Sequence, residues 1–174
     1  MPSGFMGKSQ NNKKVLFLVP SQNSKGGVSN YYKVIKDSIT FPFEYFYRGV
    51  RIQDSAVNRL FSVFIIPFDY LRFYIKLKRN KYCVVILNTS LGKTGIIRDS
   101  FFIQILKFCR VRFIVFFRGI DYKIFEYVKQ KWLKLFFNTF LQADKIIVLS
   151  YDFKNALVKL GYPNDIIVET TVVD

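Results

Sequence analysis

Short, almost unbroken apolar runs alternate with longer amphipathic stretches along this chain. Lys13–Pro20 (KKVLFLVP), Tyr82–Asn88 (YCVVILN), Val111–Gly119 (VRFIVFFRG) and Asp144–Ser150 (DKIIVLS) are too short for core helices. Their apolar residues fall on both alternating positions, the pattern of strands buried on both faces. Phe43–Arg48 and Asp165–Thr170 predict two further strands, the first of them weaker. Helical periodicity fills the intervals: Val28–Ile39, Asn58–Asn80, Ile96–Arg110, Asp121–Gln142 and Tyr151–Leu160. Pro67 is expected to kink the second helix and Gly161 to end the last. Ser21–Gly27 and Ser90–Gly95 read as loops.

Strand followed by helix, repeated, predicts a Rossmann-like three-layer α/β/α domain around a mostly parallel sheet. Val15–Val19, Val84–Leu87, Phe113–Phe117 and Ile146–Leu149 are its expected central strands. Residues 13–174 read as one such domain, behind a polar and flexible tail at 1–12. The stop at Asp174, just after a strand, reads as a truncation.

Composition narrows the chemistry. Lys and Arg number 27 against 12 Asp and Glu, a net charge of +15 that attracts polyanions without choosing among them. The absence of histidine removes imidazole general bases and most zinc sites, and no metal is expected. Cys83 and Cys109 are the only cysteines, and their lack of pattern suits packing in a reducing compartment. VLFLV at Val15–Val19 is shorter than the roughly 7–15 residues of a signal core. The densest apolar stretch, Leu60–Leu77, is broken by Pro67, Asp69, Arg72 and Lys76, where a spanning helix needs about 20 mainly apolar residues.

A parallel sheet binds ligands outside the carboxyl ends of its strands, so the loops that begin at Pro20, Asn88, Arg118 and Ser150 are the candidate sites. Lys25-Gly26-Gly27-Val28 opens a helix, and its two glycines allow either close approach to a phosphate or a plain tight turn. Gly92-Lys93-Thr94 is not a phosphate-binding P-loop, because Leu87 stands where that motif needs glycine. Asn88 and Ser90 are placed either to bind a sugar hydroxyl or to cap the helix at Ile96. Arg118, at a strand end, is either a bidentate grip on phosphate or carboxylate or a surface partner of Asp121. Ser150 fits a helix N-cap, with Asp152 in the first turn.

Bases also cluster on two predicted helices. Arg72, Lys76 and Arg79 share one face by helical spacing, as do Lys123, Tyr127, Lys131 and Lys134, with Trp132 and Phe136 adjoining. Such helices lie on an anionic bilayer or are simply solvated. No nucleic-acid-binding signature accompanies the charge, and nucleic acid is not an expected partner.

The chain resembles the N-terminal domain of GT-B glycosyltransferases of the family-4 type, especially bacterial capsule and exopolysaccharide enzymes. Four segments carry the likeness: Lys14–Tyr32 with its GGV loop, Leu87–Asp99 ending in Arg98-Asp99, Phe113–Asp121, and Ala143–Asp174. The resemblance implies transfer of a sugar from a nucleotide-sugar donor to a glycan or lipid-linked acceptor, with retention and without a metal or other cofactor. It places Gly26 and Gly27 against the donor diphosphate, and Asn88, Ser90, Arg98, Asp121 and Ser150 on the acceptor or transferred sugar. Arg118 becomes the candidate catalytic residue. It stands where the family has a histidine before glycine, which points to a phosphorylated or acidic substrate. Arg72, Lys76, Arg79, Lys131 and Lys134 would meet the membrane, for a cytoplasmic protein peripheral on the inner face of the cell membrane.

The family's paired glutamates belong to a second, donor-binding domain, and Glu44, Glu126 and Glu169 do not form such a pair. The chain alone is therefore expected to be inactive in transfer. Competing readings are a non-catalytic Rossmann-type accessory module and, less favoured, a basic nucleic-acid-binding domain.

Overall fold

A computed structural model describes residues 14–20, 27–48 and 56–169, with the side chains of 29 and 56–66 excepted. Six parallel strands form one open sheet: β1 (Lys14–Pro20), β2 (Phe43–Arg48), β3 (Tyr82–Leu91), β4 (Phe113–Ile120), β5 (Lys145–Val148) and β6 (Ile166–Val168). Their spatial order is β2-β1-β3-β4-β5-β6. The four strands expected to be central are the four interior ones, and the weaker run Phe43–Arg48 is an edge. The protein is a Rossmann-like α/β fold, as its pattern predicts. The polar tail and Lys25-Gly26 lie outside the described residues.

Chain direction decides the layering. From β1 the chain steps sideways to β2, then returns past β1 to β3 and continues the same way to β6. Right-handed crossovers put a helix on opposite faces for opposite steps. So α1 (Gly27–Ile35) packs on one face, with Tyr32 against Val15, Phe17 and Val19. The rest pack on the other: α2 (Ala56–Arg79), α3 (Lys93–Phe108), α4 (Tyr122–Tyr127), α5 (Leu133–Asn138) and α6 (Tyr151–Lys159). Their core joins Phe73, Phe102, Phe136 and Phe153 to the Leu16, Leu87, Val115 and Ile146 side of the strands.

Several boundaries move from those expected. β3 continues through Ser90 to Leu91, and α3 starts at Lys93, so the expected Ser90–Gly95 loop shrinks to a turn. The turn is tight because a Cβ on Gly95 would lie 2.9 Å from the Ser90 carbonyl oxygen, closer than a side chain tolerates. α2 runs through Pro67 as one continuous helix. The expected single helix Asp121–Gln142 is instead α4, a π-helical turn at Val128–Trp132, α5 and a short 3-10 turn at Phe140–Gln142. Gly161 ends α6 with φ of 86°, a left-handed conformation that glycine adopts without a steric cost, while Tyr162 N–H closes onto the Leu157 carbonyl. Both cysteines are free thiols, and Cys83 donates to the Lys14 carbonyl.

Beneath the carboxyl edge lies a buried charge cluster that binds β2, β3 and α3 together. Arg48, the last residue of β2, donates to the carboxylate of Asp99 on α3 and to the Asn88 carbonyl of β3. Thr89 and Arg98 also donate to Asp99. Asp99 is 0% exposed and Arg48 only 6%. Burial lowers the Arg48 guanidinium to about 10 against the pull of Asp99, so it stays cationic at neutral pH. At the other end of β2, Glu44 receives Lys76, Lys14 and Tyr82. The Lys76 and Lys14 hydrogen bonds, foremost among its partners, hold it at about 2, below its ordinary 4.5.

Two outcomes follow from these clusters. Asp99→Ala leaves Arg48 buried without its counter-charge and should cost about 3–5 kcal/mol in urea unfolding, while Arg48→Met with Asp99→Leu should recover most of it. Glu44 has a depressed folded-state value, so its contribution is complete above about 4.5 and is lost as the pH falls toward about 2. Glu44→Gln should flatten the urea-midpoint profile across that window, and an unchanged acid limb would remove Glu44 from the account.

Candidate functional site

The sheet reverses its winding direction at β1, between β2 and β3, and the crevice outside those strand ends is where open α/β sheets place ligands. Asn88 stands at that point, near the carboxyl end of β3, with its side chain on the α1 face. It is 1% exposed and every polar group of its side chain is engaged. Its amide donates to the Leu18 carbonyl of β1 at 3.1 Å. Its Oδ1 accepts from the Tyr32 hydroxyl of α1 at 3.0 Å and from Arg118 Nε of β4 at 3.1 Å. Asn88 thus ties three strand ends and a helix together and aims Arg118. It is a positioning group buried under the site, where the sequence reading had it facing a sugar.

Arg118, half-buried, is the product of that arrangement. Its guanidinium carbon lies 3.7 Å from the Tyr31 ring centroid and 3.6 Å from that of Phe116, and these rings meet edge to face. The cation sits in an aromatic corner, with Nε held by Asn88. Its Nη2 is buried with no hydrogen-bond partner among the described residues. Leaving a charged donor unpaired costs more than the 1–3 kcal/mol of a neutral group, and the neighbouring Tyr31 and Tyr32 hydroxyls offset part of that cost. Arg118 makes no ion pair with Asp121, which removes the alternative expected from the sequence.

The tyrosines are hydrogen-bonding groups, and not bases, at neutral pH. Burial raises Tyr32 to about 12, against the pull of Arg118 and Asn88. Tyr31 is raised by burial and by Glu169, whose carboxylate accepts the Tyr31 hydroxyl just beyond β6. The edge therefore offers a fixed cation, an aromatic wall and a carboxylate.

The other expected site residues are more dispersed. Asp121 caps α4, accepting from the Lys123 and Ile124 N–H groups at 2.9 and 3.3 Å. Ser150 caps α6 through the Phe153 N–H. Both side chains therefore act as helix N-caps, with Asp121 Oδ1 the oxygen engaged in the first. Arg98 is drawn onto Asp99 and keeps its side chain 39% exposed. Ser90 is exposed and caps nothing, since Gly92 is the N-cap of α3. Gly27 begins α1 with open space around the position of a Cβ, and Gly26 lies outside the described residues. Lys93 does not cradle a phosphate; its ammonium lies over the Tyr127 ring, 4.4 Å from the centroid.

On α2, Lys76 pairs with Glu44, while Arg72 pairs with Asp69 and lies over the Phe46 and Phe68 rings. Arg79 joins them along a groove beside β2. Lys131 and Lys134 are exposed, but the face they were expected to share with Lys123 and Tyr127 does not form as drawn. The π turn at Val128–Trp132 bonds i to i+5, so four residues no longer close one turn.

Reading the carboxyl edge strand by strand would have found Arg48, which ends its strand as Arg118 does. Tyr31, Phe116 and Glu169 carried no such signal, because they meet Arg118 only through packing. Together the fold and the site define an open, all-parallel Rossmann-like domain with a preorganised arginine near its switch point. Comparison with known families and with curated proteins finds no match. Among the described residues no helix is long and apolar enough to cross a membrane, and no acidic or cysteine cluster could hold a metal ion.

Asn88→Leu keeps approximate volume but strands the Tyr32 hydroxyl and releases Arg118. It should lower unfolding free energy by at least about 2 kcal/mol, from more than one buried group at 1–3 kcal/mol each. A urea midpoint equal to that of the wild type would show that this network contributes nothing.

Proposed function

We propose that this chain is the acceptor-side domain of a GT-B-type glycosyltransferase, which helps transfer a sugar from a nucleotide-sugar donor to a glycan or lipid-linked acceptor. The observation that carries the reading is Arg118. It is a cation held in a fixed orientation beside the switch point, with its Nη2 unpartnered among the described residues. In this reading it grips a phosphate or carboxylate of the acceptor or of the transferred sugar, and the Tyr31 and Phe116 rings exclude water from that contact. Gly27 begins a helix whose unpaired N–H groups suit a donor diphosphate. Asn88 acts through Arg118, and Arg98, half-exposed beside Asp99, is the next cation available to an acidic glycan. In this reading donor chemistry falls to a partner domain or protein.

Two measurements test this. Calorimetric titration of the purified chain should detect sugar phosphates or uronates more strongly than neutral sugars. Arg118→Lys keeps charge but loses the planar fork, and should weaken that binding by roughly 10- to 150-fold, the equivalent of 1.5–3 kcal/mol. Deleting the gene in its own organism should alter the sugar composition of surface polysaccharide or lipid-linked saccharides. The wild-type gene should restore it and Arg118→Ala should not. Anion binding without any change in glycans would support a non-catalytic module instead, and equal binding by wild type, Arg118→Lys and Arg118→Ala would end the site assignment.

A further inference from the structure

We infer that the outward face of α2 and α3 docks on an anionic lipid bilayer. Both helices bury one stripe in the core and expose another that is apolar. On α2 the outward residues Phe68, Leu71 and Ile75 follow three- and four-residue spacing, opposite buried Asp69, Phe73 and Leu77. On α3, Ile97, Phe101 and Phe108 form the equivalent stripe opposite buried Ile103 and Leu106. Phe68 is 59% exposed, Phe101 55% and Phe108 73%. The two stripes are joined into one surface by Tyr70, whose ring lies 5.4 Å from that of Phe101, and by Tyr74, at 6.2 Å from that of Phe108. A contiguous exposed apolar surface of this kind marks an interaction site.

Charge selects the occupant. From Ala56 to Ile120 the sequence contains two acids, Asp69 and Asp99, and both are buried. The exposed margin is cationic instead. Arg72 and Arg79 border the stripe on the β2 side. Lys78 reaches over both the Tyr74 and Phe108 rings, at 5.7 and 5.9 Å from their centroids. Apolar side chains at the centre, tyrosines beside them and lysine or arginine heads at the rim match the layering of a headgroup region over acyl chains. Nucleic acid would satisfy the rim and leave the phenylalanines in water. The surface shares Arg72 and Arg79 with the basic face of α2 expected to touch lipid, adds the apolar stripes to it, and leaves out Lys131 and Lys134. It deepens the lipid-linked-acceptor reading by naming the face that meets the membrane, and its test reads vesicle binding alone, so either can fail without the other.

Flotation of the 174-residue chain with vesicles settles the matter. It should bind an equimolar mixture of phosphatidylcholine and phosphatidylglycerol, bind phosphatidylcholine alone far less, and release with salt. Phe101→Glu with Phe108→Glu should weaken binding by about tenfold or more, since each ring would otherwise leave water. Lys131→Ala with Lys134→Ala should change it little. Phe108→Trp, which does not disturb an exposed position, should show a blue-shifted emission on adding the anionic vesicles when the wild-type signal is subtracted. Undiminished binding by the double glutamate variant, equal binding to neutral vesicles, or no blue shift in bound Phe108→Trp would each overturn the inference.

Discussion

Asn88 is where the two faces of the sheet are tied to one another. Its carbonyl accepts from Arg48, part of the buried charge cluster on the α2–α3 side. Its side chain reaches the opposite face, to the Leu18 carbonyl, the Tyr32 hydroxyl and Arg118. Polar groups this deeply buried are tolerated only when all are paired, so the geometry of each partner constrains the next. Asp99 must sit against Arg48, which sets α3 against β2. Arg48 must reach Asn88, which sets the β3 end. Asn88 then sets the orientation of Arg118, whose Nη2 is buried without a hydrogen-bond partner among the described residues.

The uneven layering has its own consequences. Because every crossover after β2 steps in one direction, the helices accumulate on one face, and among the described elements α1 alone covers part of the other. Tyr31 and Tyr32 of α1 consequently reach the ends of β3 and β4, and Tyr31 spans on to Glu169 beyond β6. On the crowded side, α2 and α3 lie next to one another and present their outer stripes together. An aromatic-rich sequence supplies both the dense core, with Phe46, Phe73 and Phe102 packed edge to face, and the apolar outer surface.

Strands were more legible than the ends of helices. A fully apolar run such as FIVFF has no alternative in a parallel sheet, and its burial follows from composition alone. The helix after β4 shows the limit. Its sequence has the 3.6-residue periodicity of one α-helix, but the chain takes a π turn at Val128–Trp132 and a break at Thr139, which change the phase of Lys131 and Lys134 relative to Lys123 and Tyr127. β3 runs past Asn88 because pairing with β4 extends to Leu91 opposite Ile120, a register that no local propensity states. Asp121 and Ser150 were legible as caps from their place between strand and helix, and capping is the role they have.

The sequence by itself determined the fold class, the four interior strands, the excess of positive charge and the strand-end position of Arg118. Each of these depends on local pattern or on composition, which a chain carries before it folds. Tertiary structure alone decided which residues meet at the strand ends. Arg48 and Asp99 lie far apart in the chain, as do Tyr31 and Arg118, and nothing in their local sequence links them. Parallel topology places all strand ends on one edge, and the crossover direction then chooses which side chains share a face. The pairing at that edge is therefore a property of the assembled sheet and of the desolvation it imposes on every polar group it buries.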